Sequence, residues 1–519
     1  GKTVNEAEDL ITFSRASGAY GFTKVSYGPE LVSNGTFDSD SDWALGTDWS
    51  ISGGAAISNN TSGYGPIYQA LGVSAGKRYL VLVEVSDYTS GQLTTYLGNS
   101  GSGSAFIYLE GPSSSFGSVL GVGVYTAFIT APDGQTPQIL LRSNGGFIGS
   151  ITSVSVKEVL YNSSAADATL QLIYHPENKP RIEYNTDGTA KGLLIEEART
   201  NLLLYSEDLS TWSRTRLDPP TDVGGAFKIE QALGQTNAGG VFVPDPGDYV
   251  STYAVSFDAK AAEKEFIIIF HNSVRTWFNL STGQVGTILG AGASASIQKL
   301  EDGWYRCTVV DTSINNNLVV YVGDTDGSTT VTDSGGIFIR RAQYEQGSFP
   351  TSYIETTGAT ATRAVDVASI PVSKFGYNQT EGSVVVEANP IPSGSPIGTQ
   401  GIVDFNNGTS NDQIFLSNEN NDRLRIIIDP TGTTNDVDFN ISGAEGSEKY
   451  AVSWATNDVQ AAHGGLLGAG DTSSNPPATI TTLTIGNDGG TNAPLNGHIK
   501  SIQYYPRRLT DLQIQDLTM

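Results

Sequence analysis

The chain has 519 residues, with 54 acidic against 29 basic side chains and a formal net charge of −25. That balance disfavours DNA, RNA and anionic membrane as partners, since all three demand Lys/Arg patches. A single cysteine, Cys307, excludes an intrachain disulfide, and the absence of an 18-residue apolar run or of a basic start before an apolar stretch points away from membrane insertion and a signal peptide. Gly is 60 residues and charged residues only 16%, the composition of short strands joined by polar turns rather than of a helical bundle. The expected fold class is all-β: tandem β-sandwich (jelly-roll) domains, a strand-rich N-terminal segment and a short C-terminal helix, with about three domains for this length.

In chain order, residues 1–29 form an N-terminal strand-rich anchoring segment. Residues 30–160 make the first sandwich. It opens on Asn34-Gly35-Thr36-Phe37-Asp38, followed by Trp43 and Trp49, and its last strand, 151–159, alternates like a half-buried edge. Residues 161–200 are a linker in which 180–184 and 191–195 flank Asp187-Gly188, the pattern of a hairpin. Residues 201–366 are the second sandwich. Its strand 253–260 alternates cleanly, 266–270 is apolar enough for burial on both faces, and 336–345 closes it. Cys307, directly after Trp304-Tyr305-Arg306, reads as a small strand residue. Residues 367–519 are the third sandwich, with strands at 382–388, 450–454 and 495–505. The tail predicts one helix with Thr510 as N-cap, Gln513 as its capping-box partner, and Leu509 and Ile514 as a hydrophobic staple.

Several motifs carry this chain's candidate chemistry. Glycoside hydrolysis requires two facing acids; Glu84, Glu158, Asp258 and Glu387 lie on predicted strands, with solvated strand faces as the plain alternative. A buried, convergent cluster of acids would argue for an enzyme. Gly72-Val73-Ser74-Ala75-Gly76 spells a nucleophile elbow, but a strand follows the serine where a helix is required. Four scattered histidines and one cysteine give no zinc spacing. In Asp38-Ser39-Asp40-Ser41-Asp42 the acids alternate as in an EF-hand, yet Trp43 and Trp49 stand where Gly and Glu are needed. For stacking against the CH face of a sugar, the candidates are Trp43, Trp49, Tyr64, Trp212 and Trp277, predicted in loops or at strand ends; a tryptophan there can equally plug the sandwich.

The sequence resembles phage and prophage virion structural proteins, the fibre, tail or capsid-associated kind. The residues that carry the resemblance are Phe13-Ser14-Arg15-Ala16-Ser17, Pro180-Arg181-Ile182-Glu183-Tyr184, Gly192-Leu193-Leu194-Ile195-Glu196-Glu197-Ala198-Arg199-Thr200-Asn201-Leu202, Gly303-Trp304-Tyr305-Arg306, Gln343-Tyr344-Glu345-Gln346-Gly347-Ser348-Phe349-Pro350-Thr351-Ser352-Tyr353-Ile354, Thr362-Arg363-Ala364-Val365-Asp366 and the closing Leu495-Asn496-Gly497-His498-Ile499. It covers about residues 175–519. In such relatives the Arg-Ala-Ser segment runs quickly into the Pro-Arg-Ile-Glu-Tyr hairpin, so the first sandwich reads as an insertion or duplication.

The resemblance implies carbohydrate-module-like jelly rolls for the first two sandwiches and a concanavalin or laminin-G-like third. The Asn34-Gly35-Thr36-Phe37-Asp38 entry of the first is similar to that of galactose-binding-like carbohydrate modules, which implies a structural calcium held by Asn34 and Asp38 as the one cofactor. Function is then expected to be that of a head or tail fibre or decoration protein, not an enzyme. Such a protein assembles in the host cytoplasm and sits on the virion surface, associates with other virion proteins and forms a homotrimer, with host cell-surface polysaccharide as a partner. A secreted bacterial glycan-binding adhesin and a polysaccharide depolymerase are the alternatives.

Overall fold

The computed structural model describes residues 11–59, 65–98, 105–107, 114–115, 118–133, 137–161, 163, 165–185, 187–223, 225–242, 251–271, 273–300, 302–313, 318–390, 398–409, 412–419, 423–430, 435–440, 448–489 and 492–519. The protein is all-β, built as tandem sandwiches with one short C-terminal helix. In the first sandwich two very long strands, Arg78–Leu97 and Gln138–Tyr161, pair along most of their length. Register shifts near Asn144 and Ile148 bend this ribbon so that it serves both layers. The bend is tight: Gly91 has φ of +79°, and a Cβ there would sit 2.3 Å from the Gly146 carbonyl. Tyr79, Val81, Val83, Ile139, Leu141, Ile151 and Val156 alternate into its core.

The second sandwich stacks two six-stranded sheets. Ser251–Ala261 sits between Trp304–Ser313 and Gly335–Gln346 in one, and Phe266–His271 between Val274–Asn279 and Leu318–Gly323 in the other. Cys307 is a fully buried residue of its core, where burial pushes the thiol far above its ordinary value.

The third sandwich stacks two seven-stranded sheets, and here the structure departs from the predicted layout. The hairpin of Ile182–Tyr184 and Ala190–Ile195 does not act as a connector. It pairs with Gly497–Tyr505 and buries Leu193 and Ile195 in the third core. Likewise the N-terminal segment is split: Thr12–Ser14 pairs with Val367–Pro371 of the third sandwich, and Ala19–Glu30 joins the first. An isolated hairpin is marginal in water, so these strands take the nearest open sheet edge. Close approach enforces the pairing, since a Cβ on Gly192 (φ +120°) would meet the Ile499 carbonyl at 2.2 Å. The first two sandwiches are thus inserted between strands of the third.

The C-terminal helix spans Asp511–Thr518. Its N-cap is Thr510, whose hydroxyl accepts from the Gln513 amide while the Gln513 side chain accepts from Thr510, the predicted capping box. Leu509 and Ile514 are buried together against Val385 and Ala451.

Candidate functional site

The motif segments, far apart in sequence, converge where the sandwiches meet. Arg15 follows the Thr12–Ser14 strand, Arg181 precedes the hairpin, Glu196 ends it, and Arg363 and Asp366 flank the start of the third sandwich proper. All five are buried. Arg15 pairs with Asp366 at 3.1 Å, Arg181 with Glu196 at 2.8 Å and, more closely, with Asp366, and Arg363 with Glu196 at 3.5 Å. The second sandwich is tied in through its closing segment. Arg181 donates to the Ser352 hydroxyl (2.7 Å), and the Ser352 amide donates to Glu196 (2.9 Å). Other guanidinium donors reach carbonyls of Ser17, Pro176, Tyr20 and Glu197, while Arg181 Nε and Arg363 Nε are buried without an acceptor.

This is a buried cluster that includes acids, but three guanidiniums saturate its two carboxylates. Burial alone would raise the Glu196 carboxyl; Arg363, Arg181 and the Ser352 amide outweigh it and hold it at about 2. A group so held stays ionised at neutral pH and cannot donate a proton to a leaving oxygen. The acids named from the sequence do not converge either. Glu158 pairs with Lys77 (2.7 Å) and Glu387 with Lys500 (2.6 Å), while Asp258 lies buried under Arg306 (3.0 Å) and Arg341 (3.3 Å) and Glu84 is half-buried across from Val124. Ser74 lies in the turn before Arg78–Leu97. Among the described residues, no three His, Cys, Asp or Glu gather to hold a metal ion.

One carboxyl beside the junction behaves differently. Glu207 is half-buried near Tyr353, Arg341, Asp258 and Glu355, and Tyr20 of the first sandwich donates to Glu355 at 3.2 Å. Burial, with Glu355 and Asp258, lifts Glu207 to about 7 against the pull of Tyr353 and Arg341. Because this acid titrates higher folded than unfolded, the folded state holds the extra proton. Stability therefore falls as pH rises from about 4.5 to about 7. Melting wild type and Glu207→Gln across that window should show a decline in wild type that the variant lacks.

The tryptophans proposed for sugar stacking are buried. Trp43 and Trp49 plug the first sandwich, their indole N–H groups donating to the carbonyls of Asn34 (3.0 Å) and Gly65 (2.9 Å). Trp212 is in the core of the second and donates to Tyr205 (3.1 Å). Trp277 packs on Phe266, Ile268 and Tyr321, under a loop whose Ser328 carbonyl accepts its N–H at 3.0 Å. A ring so enclosed offers no face to a sugar, which corrects the stacking assignment for these four. Tyr64 lies outside the described residues.

At the proposed calcium position, Asn34 turns the chain with φ of +49° and closes the loop itself. Its amide donates to the carbonyls of Ser39 (2.7 Å) and Ser41 (2.9 Å), where a cation would otherwise draw them in. Asp38 accepts from the Thr36 hydroxyl at 2.7 Å.

A different aromatic surface emerges from strand register. Leu140 stands directly opposite Tyr68 on one neighbouring strand and Tyr96 on the other, on the face away from the core. Tyr68 is 39% exposed and Tyr96 half-buried. Arg142, two residues along, lies over the Tyr96 ring and donates to its hydroxyl. The rings are two strand spacings apart, about 9–10 Å. Residues 66–70 carry the alternation of a half-buried strand, so Tyr68 could have been placed on an outer face. Its alignment with Tyr96 is long-range and has no local signal.

No protein-family model matches the chain, and no curated protein matches it. Among solved structures, the CBM40 of Ruminococcus gnavus IT-sialidase bound to α2,3-sialyllactose is 18% identical at a TM-score of 0.25, over 27% of this chain and 83% of that one. A Trypanosoma rangeli sialidase in complex with the inhibitor DANA is 12% identical at a TM-score of 0.24, over 91% and 83%. A biofilm associated protein BSP domain is 9% identical at 0.12, over 94% and 96%. At such scores these likenesses assign neither activity nor ligand.

Proposed function

We propose that this chain is a virion structural appendage or decoration protein, a head or tail fibre component, that acts by presenting sandwich surfaces and not by breaking bonds. The observation that supports this reading is the Arg15–Arg181–Glu196–Arg363–Asp366 junction. It joins all three sandwiches through the segments that resemble phage structural proteins, and it holds its own two carboxylates, Glu196 and Asp366, in ion pairs. Assembly in the host cytoplasm, a place on the virion surface beside other virion proteins, and trimerisation to cover open sheet edges complete the reading. Immunogold labelling of intact particles tests it; label absent from every virion position would overturn it, and a monomer by light scattering would remove the trimer.

Host-surface glycan binding belongs to the Tyr68–Leu140–Tyr96 face in this proposal. Exposed Tyr68 beside the apolar Leu140 offers a CH–π contact to a saccharide, with Tyr96 and Arg142, stacked on each other, bounding the face on its other side. Tyr68→Ala and Tyr96→Ala should each weaken binding on a glycan array about tenfold, a difference of roughly 1.4 kcal/mol, with melting temperature little changed for exposed Tyr68. An array on which the wild type binds nothing would retire the glycan role. A structural calcium at Asn34 and Asp38 would have to displace the Asn34 amide from its two carbonyls, and loss of a chelator-sensitive melting shift in Asp38→Ala is its test.

A further inference from the structure

A cavity of about 240 Å³ lies where the three sandwiches turn their non-core faces toward one another. The second sandwich supplies a polar wall. Cys307 and Val309 enter its core, so the intervening Thr308 and the preceding Arg306 face outward. On the neighbouring strand, Ser294–Lys299, Ser296 stands opposite Thr308 and Gln298 opposite Arg306. The first sandwich supplies an apolar wall, with Phe22 opposite Leu172. The third closes the cavity with Lys191, Leu194 and His498. Leu194 and His498 stand opposite each other, on the face away from the core that Leu193, Ile195 and Ile499 enter. Ser296 and Gln298 are exposed, so the cavity opens to solvent on their side.

The acids around this cavity are already paired. Glu183 accepts from the Phe22 amide (3.1 Å) and pairs with His498 (2.9 Å). Glu196 is held by Arg181, Arg363 and the Ser352 amide, and Asp258 by Arg306 and Arg341. Arg306 is engaged as well, by Asp258, the Ser256 hydroxyl (2.7 Å) and the Arg341 carbonyl (2.7 Å). The groups left open are donors. Lys191 is half-buried and makes no hydrogen bond or ion pair among the described residues. Thr308 is 3% exposed, and its hydroxyl has no hydrogen-bond partner among them; nor have the Ser296 hydroxyl and the Gln298 side-chain amide. A hydroxyl buried without a partner is destabilising unless water or a ligand satisfies it. We propose that this cavity binds a small hydroxylated carboxylate. Its carboxylate would meet Lys191, its hydroxyls Thr308, Ser296 and Gln298, and its C–H face Phe22 and Leu172. A volume of about 240 Å³ falls below the roughly 300–1,000 Å³ of drug-sized sites, so the occupant is no larger than one sugar-acid ring. The site lies apart from the Tyr68 face and does not depend on the glycan reading given there.

The test titrates the full chain calorimetrically with sodium glucuronate or sodium malate, to about 10 mM at constant ionic strength, with glucose as the neutral control. Both carboxylates should bind and raise the melting temperature, and glucose should bind about tenfold more weakly or not at all. Lys191→Gln should weaken carboxylate binding about tenfold, and Thr308→Val about fivefold. The ligand-free melting temperature should be unchanged in Lys191→Gln. It should be unchanged or higher in Thr308→Val, since valine keeps the shape and removes an unpaired hydroxyl. Lys191→Gln alone decides the matter should Thr308→Val fail to fold. Tighter binding of glucuronate than of malate identifies a sugar acid and the reverse a free hydroxy acid; either sustains the site. Binding of neither by wild type would overturn it and leave water in the cavity. Equal binding of glucose, or carboxylate binding undiminished in Lys191→Gln, would overturn the assignment. Carboxylate binding lost in Tyr68→Ala but kept in Thr308→Val would do the same, by moving the ligand to the aromatic face of the first sandwich.

Discussion

Arg181→Met should lower the stability of the protein by about 3–5 kcal/mol, read as a drop in the denaturant midpoint. Arg181 is fully buried and bonds four groups from three parts of the fold: Glu196, Asp366, the Ser352 hydroxyl and the Tyr20 carbonyl. Methionine fills much of the volume but leaves Glu196 and Asp366 to share Arg15 and Arg363. Each acid then loses one of the two or three guanidiniums that offset its desolvation. Arg181→Lys keeps the charge and loses the planar fork, so it should recover only part of the loss. Replacing Arg181 and Glu196 together by apolar residues should cost less than Arg181→Met alone, because no carboxylate is then stranded at that end. If Arg181→Met unfolds at the wild-type midpoint, the junction does not hold the sandwiches together.

Trp277→Ala should cost about 3–5 kcal/mol and should do so without any selective effect on ligand binding. The ring is 1% exposed and fills the space between Phe266, Ile268, Tyr321 and the loop that bears Ser328. Truncation leaves a cavity and orphans the Ser328 carbonyl. Hydrogen exchange in the residues around Ser328 should accelerate more than in the core strands. A stable Trp277→Ala protein with lost glycan binding would reinstate the ring as a recognition surface. The contrast with Tyr68→Ala, where stability should hold and binding should fall, separates the two kinds of aromatic.

What was legible in the sequence was local. Alternation at 253–260 and 151–159, the Thr510/Gln513 capping box and the strand position of Cys307 all follow from residues a few positions apart. The Arg-Ala-Ser, Pro-Arg-Ile-Glu-Tyr and Thr-Arg-Ala-Val-Asp strings were also visible, yet not their meeting point, since inserted sandwiches separate them and nothing local states that Arg15 faces Asp366. The tryptophans were misplaced for a related reason. Whether a loop indole points inward depends on a carbonyl, such as Gly65 for Trp49, becoming available to its N–H. The hairpin of 180–184 and 191–195 is legible around Asp187-Gly188, but its third partner, Gly497–Tyr505, lies at the far end of the chain.

That last pairing dictates an order of events during synthesis. The ribosome emits the two guest sandwiches whole before the final strands of their host exist, and domains emerging first tend to fold first. Thr12–Ser14 must therefore wait for Val367–Pro371, and the hairpin, with apolar Leu193 and Ile195 uncovered, for Gly497–Tyr505. Closure over such sequence distances is slow. A nascent chain halted before Gly497 would carry finished guests on an unfinished host.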